Sequence, residues 1–250
     1  MVMSLPVQVT ADGVPVVFHD DYVVHGSLVT PRRSLVSQLS ADDFQKLPQL
    51  LRWFKDEITH LPVPCDHLWH CEQEDRLPTL QEVCHALPAS VGLNVEIKMA
   101  TSHALQQTPY AEVQRIVDPT IAVIRQCATS GREFVLSSFD PDVMAYCQAC
   151  SAQLPSICTC WLLTEGTRAV LSADERRKSV SAAASFAKQH KLHGLVVESR
   201  EAHAANNAVI DAMKQGLKVR CNLTAKAKDA IMHSVQLYFW QGRCGMVHVS

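Results

Sequence analysis

Apolar and polar positions change rhythm along this chain, and the second half has the simpler pattern. From about Gly92 short extended runs alternate with helical stretches. Leu93-Asn94-Val95-Glu96-Ile97-Lys98 is the first run, and a long polar–apolar region follows it. Phe134-Val135-Leu136-Ser137-Ser138-Phe139 leads into Asp140-Pro141, an N-cap with proline at the first helical position. After the run Cys160-Trp161-Leu162-Leu163, the residues Val180, Ala183, Ala184 and Ala187 recur at i, i+3, i+4 and i+7, one face of a helix. Gly194-Leu195-Val196-Val197-Glu198 is a further strand. The helix after it ends at Gly216, a C′ glycine, and passes into Leu217-Lys218-Val219-Arg220-Cys221. Ile231, Val235 and Tyr238 mark a last helix, and Met246-Val247-His248-Val249 a last strand.

The first third is different. Val7–Thr10 and Val14–Val17 flank an Asp12-Gly13 turn and read as a hairpin. The stretch 26–90 then breaks the alternation and reads as a rim insertion within a single domain of residues 1–250. Inside it, Thr79 and Glu82 form a capping box ahead of an apolar face at 80, 83, 84 and 87. Strand–helix repetition with nearly continuous apolar strands predicts a parallel sheet covered on both faces. At this length the repeat favours a closed (β/α)₈ TIM barrel, an α/β fold. An open doubly wound sheet is the alternative, but no Gly-x-Gly-x-x-Gly follows any strand. Seven barrel strands can be counted, beginning at Val7, against the eight such a barrel has. The expected fold is therefore a barrel lacking its first strand in this sequence.

Composition narrows the function. Hydrophobic residues make up 47% of the 250, enough for a large core. Twenty-three basic against 25 acidic side chains give a net charge of −2, which leaves no electrostatic footprint for nucleic acid or an anionic membrane. No apolar run reaches the roughly 20 residues of a membrane span, and the N-terminal residues lack the pattern of a signal peptide. A cytoplasmic location is expected. The ten cysteines are then mostly reduced. Cys147 with Cys150, and Cys158 with Cys160, have zinc-compatible spacing, but Val143, Cys147 and Cys150 also fall on one helical stripe, where thiols serve as small hydrophobes. Cys65, His67, His70 and Cys71 form a second set with ligand character in a polar, proline-containing stretch.

Several segments together resemble the glycerophosphodiester phosphodiesterases, in particular their plant and algal cytosolic-type branch. They are residues 7–21 (ending Phe18-His19-Asp20-Asp21), Pro78–Val83, Gly92–Lys98, Ser137–Asp142, Asp174–Ser179 and Gly194–Glu198. The segments are collinear, and their order and spacing carry the resemblance to about residue 222. It implies a (β/α)₈ barrel with its site at the C-terminal strand ends. It also implies hydrolysis of glycerophosphodiesters to sn-glycerol 3-phosphate and an alcohol, with a divalent cation, Mg²⁺ or Ca²⁺, held by carboxylates. On the matching positions His19 is implied as a catalytic histidine, the general acid to the leaving alcohol. Glu96 is implied as a metal ligand, and Lys98 as the residue that meets the substrate phosphate. Residues 96 and 98 share one strand face. Ser137 and Ser138 are expected at the rim, and Trp161 on the pocket floor.

The sequence also departs from the family pattern. A first strand ending in His-Arg is expected ahead of residue 1, and the next strand is expected to read Glu-x-Asp-Val with two metal-binding acids. Ser4-Leu5-Pro6-Val7 stands there instead. Arg220-Cys221-Asn222 replaces an expected aromatic after the seventh strand. As written, the chain is expected to bind metal poorly and to turn over slowly or not at all. Because the match is lost abruptly before Val7, a first strand lying outside this sequence is favoured over gradual decay. The alternative is an inactive family member that binds a phosphodiester or phosphate through Lys98; a metal-binding or redox protein built on the cysteines and histidines is a third reading.

Overall fold

A computed structural model describes residues 2–20, 22–26, 31–47, 53–55, 62–64, 76–99, 104–128, 131–155, 158–164, 172–198, 202, 204–222, 238–240 and 246–247. In chain order the strands are β1 (Val2–Val9), β2 (Pro15–Val17), β3 (Tyr22–Gly26), β4 (Pro31–Leu35), β5 (Trp53–Lys55) and β6 (Pro62–Pro64). They continue as β7 (Gly92–Ile97), β8 (Phe134–Ser138), β9 (Cys158–Thr164), β10 (Gly194–Glu198), β11 (Lys218–Asn222), β12 (Tyr238–Trp240) and β13 (Met246–Val247). The helices are α1 (Ala41–Gln45), α2 (Leu80–Ala86), α3 (Tyr110–Cys127), α4 (Pro141–Ala149), α5 (Glu175–Lys178), α6 (Val180–Gln189) and α7 (Asn206–Lys214).

One sheet runs in the order β13-β12-β11-β10-β9-β8-β7-β1-β2, and β1 with β7 to β12 are parallel throughout. This is the mostly parallel α/β arrangement expected. Among the described residues the sheet keeps two ends, β2 and β13, each antiparallel to its neighbour. The pairs β3–β4 and β5–β6 form two separate two-stranded antiparallel sheets.

Strict alternation of side chains builds two cores. Leu5, Val7 and Val9 of β1, Leu93, Val95 and Ile97 of β7, Phe134 and Leu136 of β8, and Leu195 and Val197 of β10 point to the helices. There they meet α3, α4, α6 and α7 through residues such as Ile124, Met144, Ala183 and Val209. The opposite, inner face carries a smaller cluster of Val135, Trp161, Leu163 and Val196. That division, helices outside and a packed interior, is the two-shell plan of the barrel fold. A third cluster, Val16, Val23, Val36 and Phe44, packs β3, the segment after β4 and α1 against β2.

Local chemistry sets the element ends as expected. Thr79 Oγ1 accepts from Glu82 N (3.1 Å), and Glu82 returns a carboxylate oxygen to Thr79 N (2.8 Å), so the box caps α2. At the other end of α2, the buried Arg132 guanidinium donates to the Cys84 and Leu87 carbonyls (2.9 and 2.6 Å). Asp140 Oδ1 accepts from Asp142 N and Val143 N (2.9 and 3.0 Å) and starts α4. Gly216 takes φ +87°, the left-handed conformation of a helix-ending glycine.

Three expectations need correction. The first strand begins at Val2 rather than Val7, so Ser4 and Pro6 lie inside the sheet. Pro6 fits because its nitrogen shares the side of its own carbonyl, which accepts from Phe18 N; the bond from Lys98 N to β1 goes to the Val7 carbonyl instead. Tyr238 belongs to strand β12, parallel to β11, and not to a last helix; Ile231 and Val235 lie outside the described residues. The seventh parallel strand is therefore β12, while Met246–Val247 folds back antiparallel onto it. The described ladder at Phe239↔Val247 and Trp240↔Met246 excludes a parallel closing strand there.

Two measurements test the packing. A methyl group on Gly194 would run into the Lys218 carbonyl oxygen and the Trp161 ring. Gly194→Ala is expected to lower stability by about 3 kcal/mol, read from urea denaturation. His193 Nδ1 accepts from Cys160 N (3.0 Å), and burial, then the neighbouring Lys218 charge, holds the imidazole below its usual value of 6.5. The unfolded chain then takes a proton that the folded chain refuses. Stability should be full above pH about 6.5 and fall as the pH drops through the interval below it. His193→Asn should flatten that part of the stability–pH curve.

Candidate active site

Both flanks of β1 are pinned near its C-terminal half. Lys98 N donates to Val7 O on one side and Phe18 N to Pro6 O on the other, each at 2.9 Å. Gln8 Nε2 donates to Asp20 O (2.6 Å), and Phe18 packs edge-on to Phe44 at 5.8 Å between ring centres. These ties bring together side chains 79 residues apart: His19 Nε2 lies 3.5 Å from Lys98 Nζ. Lys98 Nζ is 2.6 Å from Glu96 Oε1, with the two side chains 18% and 13% exposed, so the pair is largely shielded from water. Lys98 also lies 5.8 Å from the centre of the Phe139 ring. His19 Nδ1 is 2.8 Å from Asp20 Oδ1, in the open. An ammonium can only donate, so in this arrangement Nε2 accepts and Nδ1 gives its proton to Asp20.

All three residues singled out in the sequence, His19, Glu96 and Lys98, thus meet at the C-terminal end of β1 and β7. Asp20 was not singled out. Its signal was its place directly after His19 in a strand-end His-Asp pair.

Below this group the inner face is neutral where the resemblance expects acids. Ser4 pairs in register with Asn94, and Pro6 with Glu96. Asn94 Nδ2 donates to Ser4 Oγ (3.1 Å), while Ser137 Oγ donates to Asn94 Oδ1 (2.9 Å). One uncharged chain of hydrogen bonds therefore crosses β1, β7 and β8. Ser138 does not face the rim as expected: its hydroxyl is buried, donates to Ile97 O (2.7 Å) and accepts from Asp140 N (3.1 Å), a structural role. Trp161 lies on the interior as expected. With Asn94, Ser137, Leu163, Val196 and Arg220 it lines a small cavity. The Arg220 guanidinium stacks on the indole, 3.9 Å from the ring centre.

The divalent cation implied for this fold finds a poor donor set. Glu96 is already bound to an ammonium group, Ser4 is committed to Asn94, and Pro6 has no donor. Among the described residues no three histidine, cysteine, aspartate or glutamate side chains come together as a metal site. Mg²⁺ and Ca²⁺ both need several oxygen ligands, so the residues present do not fit the ion. The cysteines do not supply a site either. Among the described residues they join no group of three or more such ligands; Cys147 and Cys160 are buried, and burial pushes the Cys158 and Cys160 thiols up to about 12. The set Cys65, His67, His70 and Cys71 lies outside the described residues.

Comparison with known proteins places these observations. The sequence profile of the glycerophosphoryl diester phosphodiesterase family matches residues 5–233. This chain belongs to that family. A glycerophosphodiester phosphodiesterase of Arabidopsis thaliana is 27% identical over 222 residues, 85% of this chain and 55% of its own length. A chloroplastic one from the same plant is 25% identical over 224 residues, 85% of this chain and 57% of its own. The chain spans about half the length of these relatives. In fold it is similar to a phosphodiesterase of Oleispira antarctica solved in complex with the product sn-glycerol-3-phosphate. That likeness has a TM-score of 0.60 and 16% identity, and covers 90% of this chain and 73% of that one. A glycerophosphodiester phosphodiesterase of Thermotoga maritima aligns with a TM-score of 0.53 and 15% identity, over 90% of this chain and 74% of that one. Among the described residues no helix is long and apolar enough to cross a membrane.

The neutral chain gives a direct test. Asn94→Ala would leave the Ser4 and Ser137 hydroxyls without their shared partner inside the sheet. A loss of roughly 2 kcal/mol is expected in chemical denaturation, and a variant as stable as the parent would show that the two serines are satisfied elsewhere.

Proposed function

We propose that this chain acts on glycerophosphodiesters, releasing sn-glycerol 3-phosphate and an alcohol, with His19 as general acid and Lys98 as the phosphate contact. The observation that carries the reading is the meeting of His19, Lys98 and Glu96 at one strand end. A phosphodiester is an anion with a poor leaving group. It needs positive charge beside its oxygens and a proton for the departing alkoxide. Lys98 supplies the charge. Glu96, two residues back on the same face, holds the lysine ammonium at 2.6 Å. Asp20 holds His19 through Nδ1, which leaves Nε2 to carry the transferred proton once the imidazole is protonated. The bond from phosphorus to the alcohol oxygen breaks, that oxygen takes the proton, and water supplies the hydroxyl that ends on phosphorus and a proton that restores His19. A divalent cation would supply further neutralisation of the phosphate. Glu96 would be its carboxylate ligand, but the donor set does not fit and no step here depends on it.

A second reading, binding of a phosphodiester or phosphate without turnover, is favoured by Ser4 and Pro6 standing beside Asn94 and Glu96. One experiment separates the two. The purified chain is incubated with glycerophosphocholine, and choline release is followed together with binding of sn-glycerol 3-phosphate. Hydrolysis is expected, and His19→Ala should slow it by about 10²- to 10⁴-fold. Binding abolished by Lys98→Met, without release of choline, would establish the second reading. Hydrolysis indifferent to His19→Ala would remove that residue from the chemistry.

A further inference from the structure

His19 stands beyond the end of the strand that leads to it. The ladder between β1 and β2 closes at Val7↔Val17, and the next tie is Phe18 N to Pro6 O at 2.9 Å. The His19 and Asp20 side chains are each 71% exposed, so packing does not hold them. A ring so far in the open keeps its rotational freedom unless something fixes the backbone that carries it. Its Nε2 is nevertheless placed 3.5 Å from Lys98 Nζ.

Gln8 supplies the fixing. On β1 the side chains of Leu5, Val7 and Val9 are buried against the helices, and the half-buried Gln8 belongs to the opposite face. Its Nε2 donates to Asp20 O at 2.6 Å and to Phe18 O at 3.4 Å, the carbonyls on either side of His19. A primary amide has two N–H donors on one nitrogen, so a single side chain can bracket the histidine. Phe18 is held again by its ring, edge-on to Phe44 at 5.8 Å between centres. Asp20 carries the carboxylate whose Oδ1 lies 2.8 Å from His19 Nδ1. The bracket thus reaches the imidazole twice, through the main chain and through the Asp20 side chain. Being neutral, the amide sets geometry and leaves the charge of the site to Lys98 and Glu96.

We propose that Gln8 is a positioning residue, whose amide holds the main chain on both sides of His19 and so sets the place from which Nε2 delivers its proton. The proposal rests on the reading of His19 as the general acid in glycerophosphodiester hydrolysis. Gln8 acts through His19 and not on the substrate, so its loss should fall on turnover and spare binding. The test is steady-state hydrolysis of glycerophosphocholine by the full chain and by Gln8→Met, Gln8→Lys, His19→Ala and the double variant Gln8→Met/His19→Ala. Gln8→Met keeps the length and loses the donors; kcat should fall by about 10- to 100-fold, the scale of a catalytic group misplaced by about 1 Å. KM should stay within about twofold. Gln8→Lys returns donors and should restore most of kcat. On the His19→Ala background, Gln8→Met should change the rate by less than about twofold, because the ring it positions is gone. Should Gln8→Met fail to fold, Gln8→Glu, which has the same shape and no donor, carries the same comparison. A parent-like kcat in the variant without donors would overturn the role of Gln8. An equal loss on the parent and His19→Ala backgrounds would overturn it too, by showing that the amide supports the fold at large. A parent chain that releases no choline, or whose rate ignores His19→Ala, would remove the general-acid reading and this proposal with it.

Discussion

The parallel register between β1 and β7 decides which side chains can meet, and most of the inner face follows from it. Six consecutive pairs, Val2↔Gly92 to Val7↔Ile97, set Ser4 against Asn94 and Pro6 against Glu96. Because side chains alternate along a strand, a slip of one residue would send Leu5 and Val7 to the interior and Ser4 and Pro6 to the helices. That slip would bury a serine against an apolar layer and remove the acceptor that Asn94 uses. The apolar side fixes the register, and the polar side inherits its partners. His19 depends on the same pairing, since Phe18 N bonds the carbonyl of Pro6 while Lys98 N bonds that of Val7.

Charge on the inner face is organised by pairing rather than by accumulation. Two unit charges about 4 Å apart near a protein surface attract by roughly 4 kcal/mol before desolvation is counted. Glu96 and Lys98 are closer than that and mostly shielded, so a competing ion at Glu96 must overcome the lysine already there. The neutral Ser4–Asn94–Ser137 chain removes the other places where such an ion would find oxygen ligands with charge. Both features belong to this sequence rather than to the fold. The fold supplies an interior position at every second residue, and this chain places serine and proline where acids were expected and arginine where an aromatic was expected.

Much of the architecture was legible because it rests on local signals. The Thr79–Glu82 box, the Asp140-Pro141 start and the Gly216 stop are single-turn chemistry, and each stands where the sequence indicated. The longest helix, α3, was not legible: Pro119 falls in its middle, and Thr120 Oγ1 bonds the Ile116 carbonyl beside it. Local propensity there loses to the burial of Ile116, Val117, Ile121 and Ile124 against the sheet. The N-terminal extent of β1 was hidden by Pro6, which reads as a strand breaker until the side its nitrogen faces is known. At the site, His19, Glu96 and Lys98 were legible as a family pattern, but the Ser4–Asn94–Ser137 chain was not. It joins three strands, and no spacing along the sequence encodes it. Arg220 was visible only as a missing aromatic, and its stacking on Trp161 needs the register across β9, β10 and β11.

Holding the mouth in shape is a separate problem, and here one arginine answers it. Residues 106–108 after β7, Asp142 in the first turn of α4 and Asp174 before α5 are joined by polar contacts. Arg176, at the start of α5, donates to Asp142 at 2.7 Å, to Asp174 at 2.8 Å and to the Gln106 carbonyl at 2.9 Å. Thr108 N adds a bond to Asp142 at 2.8 Å, and Arg176 also stacks on Phe186 at 5.0 Å. Three segments therefore converge on a single guanidinium, and against its burial the hydrogen bonds to Asp142 and Asp174 hold it above the ordinary arginine value. Isolated surface ion pairs contribute little because each side chain must be ordered for one contact. A fork that makes several contacts spreads that cost, and its rigidity passes to Asp140, which accepts from Asp142 N and caps α4. The fork therefore ties the residues after β7 and the first turn of α4 to the start of α5, while the register of β1 and β7 sets the inner face below.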